Sequence, residues 1–239
     1  VYKRQVHNQF EPEPYVPAAH PREVGMRPNN LSAEDLATLL RDGEVVAQAT
    51  DELGRSVVDI SDGNTVIKAL FTRRSGRGFY PDVAAYRLDR LLDLDMVPVS
   101  VRREIEGKDG TVQFLPAKTV HEGTRAETGR GYGASCPLQD QFQALYVFDV
   151  LIFNEGRTLE RMLYDTRDWD LMLIEHDRAF AARKGRPRHL ESAPVKVTDG
   201  WRAALAELND ETLQSELGDV LDKKRLRALA TRRDELLAQ

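Results

Sequence analysis

Cysteine is almost absent: Cys136 is the single one among 239 residues. This excludes an intramolecular disulfide and a cysteine-rich zinc site. Cys136 stands beside Pro137 at an expected helix start and reads as structural rather than nucleophilic. Long apolar runs are missing too, and none could span a bilayer. There is no excess of positive charge. The net charge of -5 gives no general attraction to nucleic acid or to an anionic membrane. Internal repeats are lacking. The chain begins with Val1 and shows no signal peptide, so the expectation is a fragment or a processed chain, cytoplasmic as it stands.

What is present is ordinary globular material. Hydrophobic residues make up 41% and charged residues 31%. The length permits one large domain or two lobes. Residues 1–30 carry Pro12, Pro14, Pro17, Pro21 and Pro28 and read as a linker or extended arm. His7 and His20 lie in that arm and are expected to be solvated. Ser32, with Asp35 three residues on, predicts a helix start, and Asp42-Gly43 its end. Residues 44–49, 55–60 and 64–72 read as three strands joined by turns at Gly54 and Gly63. In the third, alternation puts Val66, Lys68 and Leu70 on one face. Lys68 there is either an edge residue facing water or a cation pointing into a cleft.

Pro81 opens a helix to about residue 94, with Asp82 in its first turn. Residues 97–106 and 111–115 suggest a hairpin across Gly107 and Gly110. Residues 120–135 are glycine-rich. Gly129, Gly131 and Gly133 do not make a nucleotide loop, because no strand precedes them and no lysine follows. A hinge is the better reading. Pro137 starts a largely apolar helix to about residue 153. Helices are expected at about 199–207, 210–217 and 222–237. In the last, Lys223, Lys224, Arg225, Arg227, Arg232 and Arg233 read as a solvated face.

The domain expectation is therefore a proline-rich arm (1–30), a strand-rich lobe (31–120), a glycine-rich hinge (121–136) and a helical lobe (137–239). That is a bilobal α+β architecture. Residues 146–180 organise the second lobe. An apolar helix ends at Asn154, a polar segment follows, and residues 162–164 and 171–174 form a hairpin. Glu175, His176, Asp177 and Arg178 come together directly after it. Rigidly positioned loops of this kind commonly carry function. A surface hairpin with solvated charges, or a structural cluster pairing Arg157 and Arg178 with Glu175, Asp177 or Asp165, is the plain alternative. His176 would then be a core histidine, and Asn154 a helix cap.

The order of elements resembles the atypical kinases: the secretory-pathway Golgi casein-kinase group, the HipA-type toxin kinases and the phosphoinositide lipid kinases. The matching residues are a strand lysine (VIKALF, Lys68), a helix with an early acid (PDVAAYRLDRLLDL, Asp82) and the following VPVSV. The resemblance covers about residues 40–237. It implies that Lys68 faces the cleft, binds nucleotide phosphates and pairs with Asp82. It implies a hydroxyl-orienting Asp where this chain has Gly156, and a metal position at Arg161, or at Glu160 if the loop shifts by one. Glu175 occupies the metal-aspartate position and can still offer oxygen to a hard cation. Asn154, Arg157 and Asp177 are the remaining catalytic candidates, and Glu155, Glu160 or Asp177 could replace the missing acid. Residues 52–55 are the only candidate cover for phosphates. The implied ligands are ATP or a related nucleotide with Mg or Mn. A protein partner, or an upstream domain reached through the arm, is also implied.

Three readings stay open: a phosphoryl- or nucleotidyl-transferring enzyme using a variant loop, a pseudokinase, and a structural domain without ligand. The missing Asp and the arginine at a metal position favour the pseudokinase.

Overall fold

The computed structural model of the protein describes residues 27–28, 31–131 and 138–239. The proline-rich arm up to residue 26, with His7 and His20, and Cys136 lie outside the described residues. Helix α1 (Ala33–Asp42) begins at Ser32, whose side chain accepts from the Asp35 amide in a reciprocal capping box. Strands β1 (Glu44–Thr50), β2 (Ser56–Ser61) and β3 (Val66–Arg73) follow, then helix α2 (Pro81–Leu91) and strands β4 (Ser100–Ile105) and β5 (Lys108–Phe114). The five strands form one antiparallel sheet in the order β1-β2-β3-β5-β4. The β4–β5 turn uses Glu106 and Gly107, both with positive φ, the geometry that matches strand twist in a two-residue hairpin.

One face of the sheet is a dry core. Val58, Ile60, Ile67, Ala69, Phe71, Val101 and Val112 pack there against Leu36, Leu39 and Leu40 of α1. The opposite face carries Arg55, Val57, Asp59, Lys68, Leu70 and Gln113, as alternation requires. Gly110 of β5 pairs with Arg73 of β3. A Cβ there would lie 2.4 Å from the Thr72 carbonyl and 2.7 Å from the Phe71 ring. A backbone carbonyl cannot step aside, so Gly110→Ala should destabilise by about 1–3 kcal/mol. Urea denaturation measures this, and an unchanged midpoint would show that the strand relaxes.

The second half holds β6 (Thr119–His121), α3 (Glu122–Thr128), α4 (Leu138–Ile152), β7 (Met162–Asp165), β8 (Leu171–Leu173), α5 (Asp199–Glu207), α6 (Asp210–Leu217) and α7 (Lys223–Leu237). Strands β6, β7 and β8 make a small antiparallel sheet. The start of the expected glycine-rich hinge is therefore ordered structure. Residues 119–128 form β6 and α3, pinned by a buried Glu122–Arg125 ion pair with Nε to Oε2 at 2.6 Å. Helix α4 is buried on nearly every side, which its apolar sequence demands.

Arg232 corrects the expectation of a uniformly solvated basic face on α7. It is fully buried. Its guanidinium donates to the carbonyls of Leu151 (2.7 Å), Ala181 (3.1 Å) and Arg183 (2.8 Å). It thereby ties α7 to the end of α4, supplying donors for carbonyls that a helix terminus leaves open.

Helix α2 packs its Val83, Ala84, Leu88 face into the larger core, together with Phe148, Leu217, Val220 and Leu229. Two polar ties reinforce this: the Tyr80 amide donates to Val220 O at 3.1 Å, and Arg87 Nη1 meets Asp219 Oδ1 at 2.5 Å. No described helix is long and apolar enough to cross a membrane.

Candidate functional site

The inner face of the sheet meets the β7–β8 hairpin at a small apolar contact. Leu70 packs there with Leu163, Met172 and Ile174, flanked by Val57 and Leu115. The polar residues of the site surround this contact. Two segments frame it: residues 153–157 after α4, and residues 174–180 after β8. They are bonded together, since the Phe180 amide donates to Ile152 O at 2.6 Å and the Glu155 amide to Arg178 O at 3.3 Å. Phe153, Glu175 and Phe180 all have positive φ. Three non-glycine residues in this region cost backbone energy, and such residues gather where a structure holds functional groups in place.

A buried polar chain runs through the site. Asp82 Oδ1, in the first turn of α2, accepts the His176 amide at 2.6 Å. His176 Nδ1 faces the same oxygen at 3.7 Å. Its Nε2 lies 3.1 Å from Arg157 Nη2. A guanidinium can only donate, so Nε2 holds the lone pair and Nδ1 the proton. Burial lowers the pKa of His176 below its usual value despite the nearby Asp82 carboxylate, and the ring is neutral at pH 7. Arg157 then makes a two-point contact with Asp149: Nε to Oδ2 and Nη2 to Oδ1, both at 3.0 Å. Its Nη1 donates to the carbonyls of Arg161 (3.0 Å) and Ile174 (3.3 Å). Burial alone would raise the Asp149 carboxyl. The charge of Arg157 and hydrogen bonds from His189, Arg157 and Asn154 outweigh it and hold the group well below the ordinary range.

Asn154 bridges this chain to the loop. Its Nδ2 donates to Asp149 Oδ1 (3.1 Å) and its Oδ1 accepts the Gly156 amide (2.9 Å). Gly156 leaves a gap that Arg161 fills: a Cβ built there would stand 2.6 Å from Arg161 Nη1. That nitrogen donates to Gly156 O (3.2 Å), Glu175 O (3.3 Å) and Asp177 Oδ1 (2.5 Å).

Glu175 lies between two guanidinium groups. Its Oε2 is 3.5 Å from Arg55 Nη1 and 3.9 Å from Arg161 Nε. Burial raises its carboxyl above the usual value, with Arg161 and Arg55 pulling the other way. Its amide donates to Gln113 Oε1 at 3.1 Å, which fixes it to β5. The surface hollows beside α1 and between α6 and α7 lie away from this cluster.

No protein-family model matches the chain. No curated protein matches it by sequence. Solved structures do match. The Golgi casein kinase superposes with a TM-score of 0.60 at 13% identity, over 86% of this chain and 75% of that one. The same kinase with Mn/ADP bound gives 0.60 at 11% identity, over 86% and 74%. The Helicobacter pylori proinflammatory kinase CtkA gives 0.53 at 11% identity, over 82% and 92%. The fold is that of the atypical kinases. It is α+β, with a strand-rich N-terminal lobe and a helical C-terminal lobe.

Within this kinase-like fold the expected Lys68–Asp82 pair is replaced by two others. Lys68 lies on the same sheet face as Leu70, yet its Nζ binds Asp59 Oδ1 at 2.7 Å and its side chain is 61% exposed. The reason is register: Asp59 stands directly opposite Lys68 on β2, whereas Asp82 is buried against the His176 amide. The cation that reaches Glu175 from the sheet is Arg55, at the root of the β1–β2 turn. Arg55 also holds Asp51, Nε to Oδ2 at 2.6 Å.

The residues present do not fit a divalent cation. Among the described residues no group of three or more His, Cys, Asp or Glu side chains converges. Glu175 faces two arginines. Glu160 is exposed on the 3-10 turn Leu159–Arg161, its carboxyl held low by the Thr158 side chain. The expected metal roles of Glu175 and Glu160 thus find no support in the geometry. The plain alternative of a salt-bridge cluster is realised with different partners: Arg157 with Asp149, and Arg161 with Asp177. Asp149 and Gln113 were not singled out from the sequence. An acid inside the apolar run YVFDVLIF was the available signal for Asp149.

Proposed function

We propose that this domain is a pseudokinase, a kinase-like module that holds a nucleotide in its cleft and transfers phosphoryl groups poorly or not at all. The observation that carries the reading is the space at Gly156. The resemblance puts a hydroxyl-orienting carboxylate there, and Arg161 fills that space instead. Phosphoryl transfer depends on positioned charge, so a guanidinium in place of a carboxylate removes the group that would orient an acceptor. Binding can persist, because it uses other residues. Val57 and Leu115, partly buried at the edge of the apolar contact, are the apolar groups a base would meet, while Leu70, Leu163 and Met172 are packed beneath them. Arg55, at the β1–β2 turn, and Lys68, on β3, share that sheet face and would supply the positive charge for phosphates. Asp82, committed to His176, contributes by positioning the cleft floor and not by touching the nucleotide.

Calorimetric titration with ATP and ADP, paired with an assay of ATP turnover against protein and small-molecule acceptors, tests the proposal. Saturable binding with no turnover is the expected result. Robust transfer by the wild type would refute the pseudokinase reading and point to a substitute acid. No binding would return the domain to a purely structural role.

A further inference from the structure

Arg161 does more than occupy space. A single nitrogen, Nη1, gathers the Gly156 carbonyl, the Glu175 carbonyl and the Asp177 carboxylate at 3.2, 3.3 and 2.5 Å. Two carbonyls and a carboxylate converging on one point are hard oxygen donors, the kind that magnesium and manganese take. Here a guanidinium satisfies them. Its backbone is held as well, since Arg161 O accepts from Arg157 Nη1 at 3.0 Å. A guanidinium stays charged at every physiological pH and, unlike a metal ion, does not dissociate. The charge-assisted bond to Asp177 makes the arrangement firm. Arg55 adds a second fixed cation beside Glu175, at 3.5 Å. A divalent ion entering this set would meet both positive groups and would have to displace Arg161 from three oxygens.

We infer that Arg161 stands in for the catalytic metal, so that the cleft takes the phosphates of a nucleoside di- or triphosphate without a divalent cation. The phosphate half of this inference rests on the nucleotide-binding reading above. The metal half does not.

Two titrations on the full chain separate them. The first measures ATP and ADP binding by calorimetry in EDTA, in magnesium and in manganese. Wild-type affinity should agree within about twofold across the three buffers, whereas Arg161→Asn should lose roughly tenfold in EDTA and regain it in manganese. The second titrates manganese alone, followed by electron paramagnetic resonance. The wild type should show no saturable site, and Arg161→Asn should gain one. Nucleotide binding by the wild type only when metal is present would overturn the inference and leave the nucleotide reading standing. Manganese bound equally by wild type and variant would overturn it as well. No nucleotide binding in any buffer would refute the nucleotide reading and the phosphate half together, and the manganese titration would then decide the role of Arg161 by itself. Circular dichroism and melting curves accompany each variant. If Arg161→Asn does not fold, Arg161→Lys keeps the charge and should remain indifferent to manganese.

Discussion

Replacing Arg157 by alanine is expected to remove about 3–5 kcal/mol of stability, the cost of leaving a buried charge without its partner. The Asp149 side chain is 0% exposed and that of Arg157 3% exposed. Alanine would remove the arginine from the carboxylate, leaving it Asn154 and His189, and would take from the Ile174 carbonyl its Arg157 donor, while the Arg161 carbonyl keeps the Ile174 amide at 3.2 Å. The sign with pH follows from linkage. Asp149 is depressed in the fold, so its contribution is fully present above the unfolded carboxyl value of about 3.9 and is lost as pH falls through the lower folded value. In Arg157→Ala the carboxyl is pushed up instead, and protonation relieves it. The gap between wild type and variant should therefore be widest at neutral pH and narrow in acid. Urea denaturation at pH 7 and pH 4 reads both. A gap that is the same at both values would mean that Asp149 is not the group responsible. Removing the pair together, as Arg157→Met with Asp149→Leu, should cost less than Arg157→Ala alone, because no lone charge remains.

The second large effect concerns catalysis. Gly156→Asp combined with Arg161→Asn should raise nucleotide turnover by about 10²–10⁴-fold over the wild type, the range that one positioned acid–base group supplies. Gly156→Asp alone should restore little. Its Cβ would meet Arg161 Nη1 at 2.6 Å, and the new carboxylate would pair with that guanidinium in place of an acceptor hydroxyl. Turnover is measured with magnesium and with manganese, against protein and small-molecule acceptors and against water. A single Gly156→Asp variant as active as the double one would show that Arg161 does not obstruct the site.

The secondary structure was legible because its signals are local. The Ser32 capping box, Pro81 at the start of α2 and Asp222 before α7 act within a few residues of where they stand. Alternation along β3 put Lys68 and Leu70 on the correct face. It could not show that Asp59 takes the lysine, because that depends on the β2–β3 register. Gly156, Arg161 and Glu175 were found as departures from a known motif. Arg55 is one of the residues 52–55 that the sequence offers as a phosphate cover, but its bond to Glu175 spans 120 positions in the chain and leaves no local trace. Arg232 failed for the same reason. A basic residue on a helix reads as solvated until the carbonyls of Leu151, Ala181 and Arg183 are known to converge on it.

The placement of α2 has a consequence for how the molecule can be divided. The helix is encoded among the strands of the first lobe, yet its apolar face completes the core of the second. A cut in the connection after β5 would expose Val83, Ala84 and Leu88 on one piece and the surface that received them on the other. The two pieces are thus complementing fragments that bury their sticky faces only when made together.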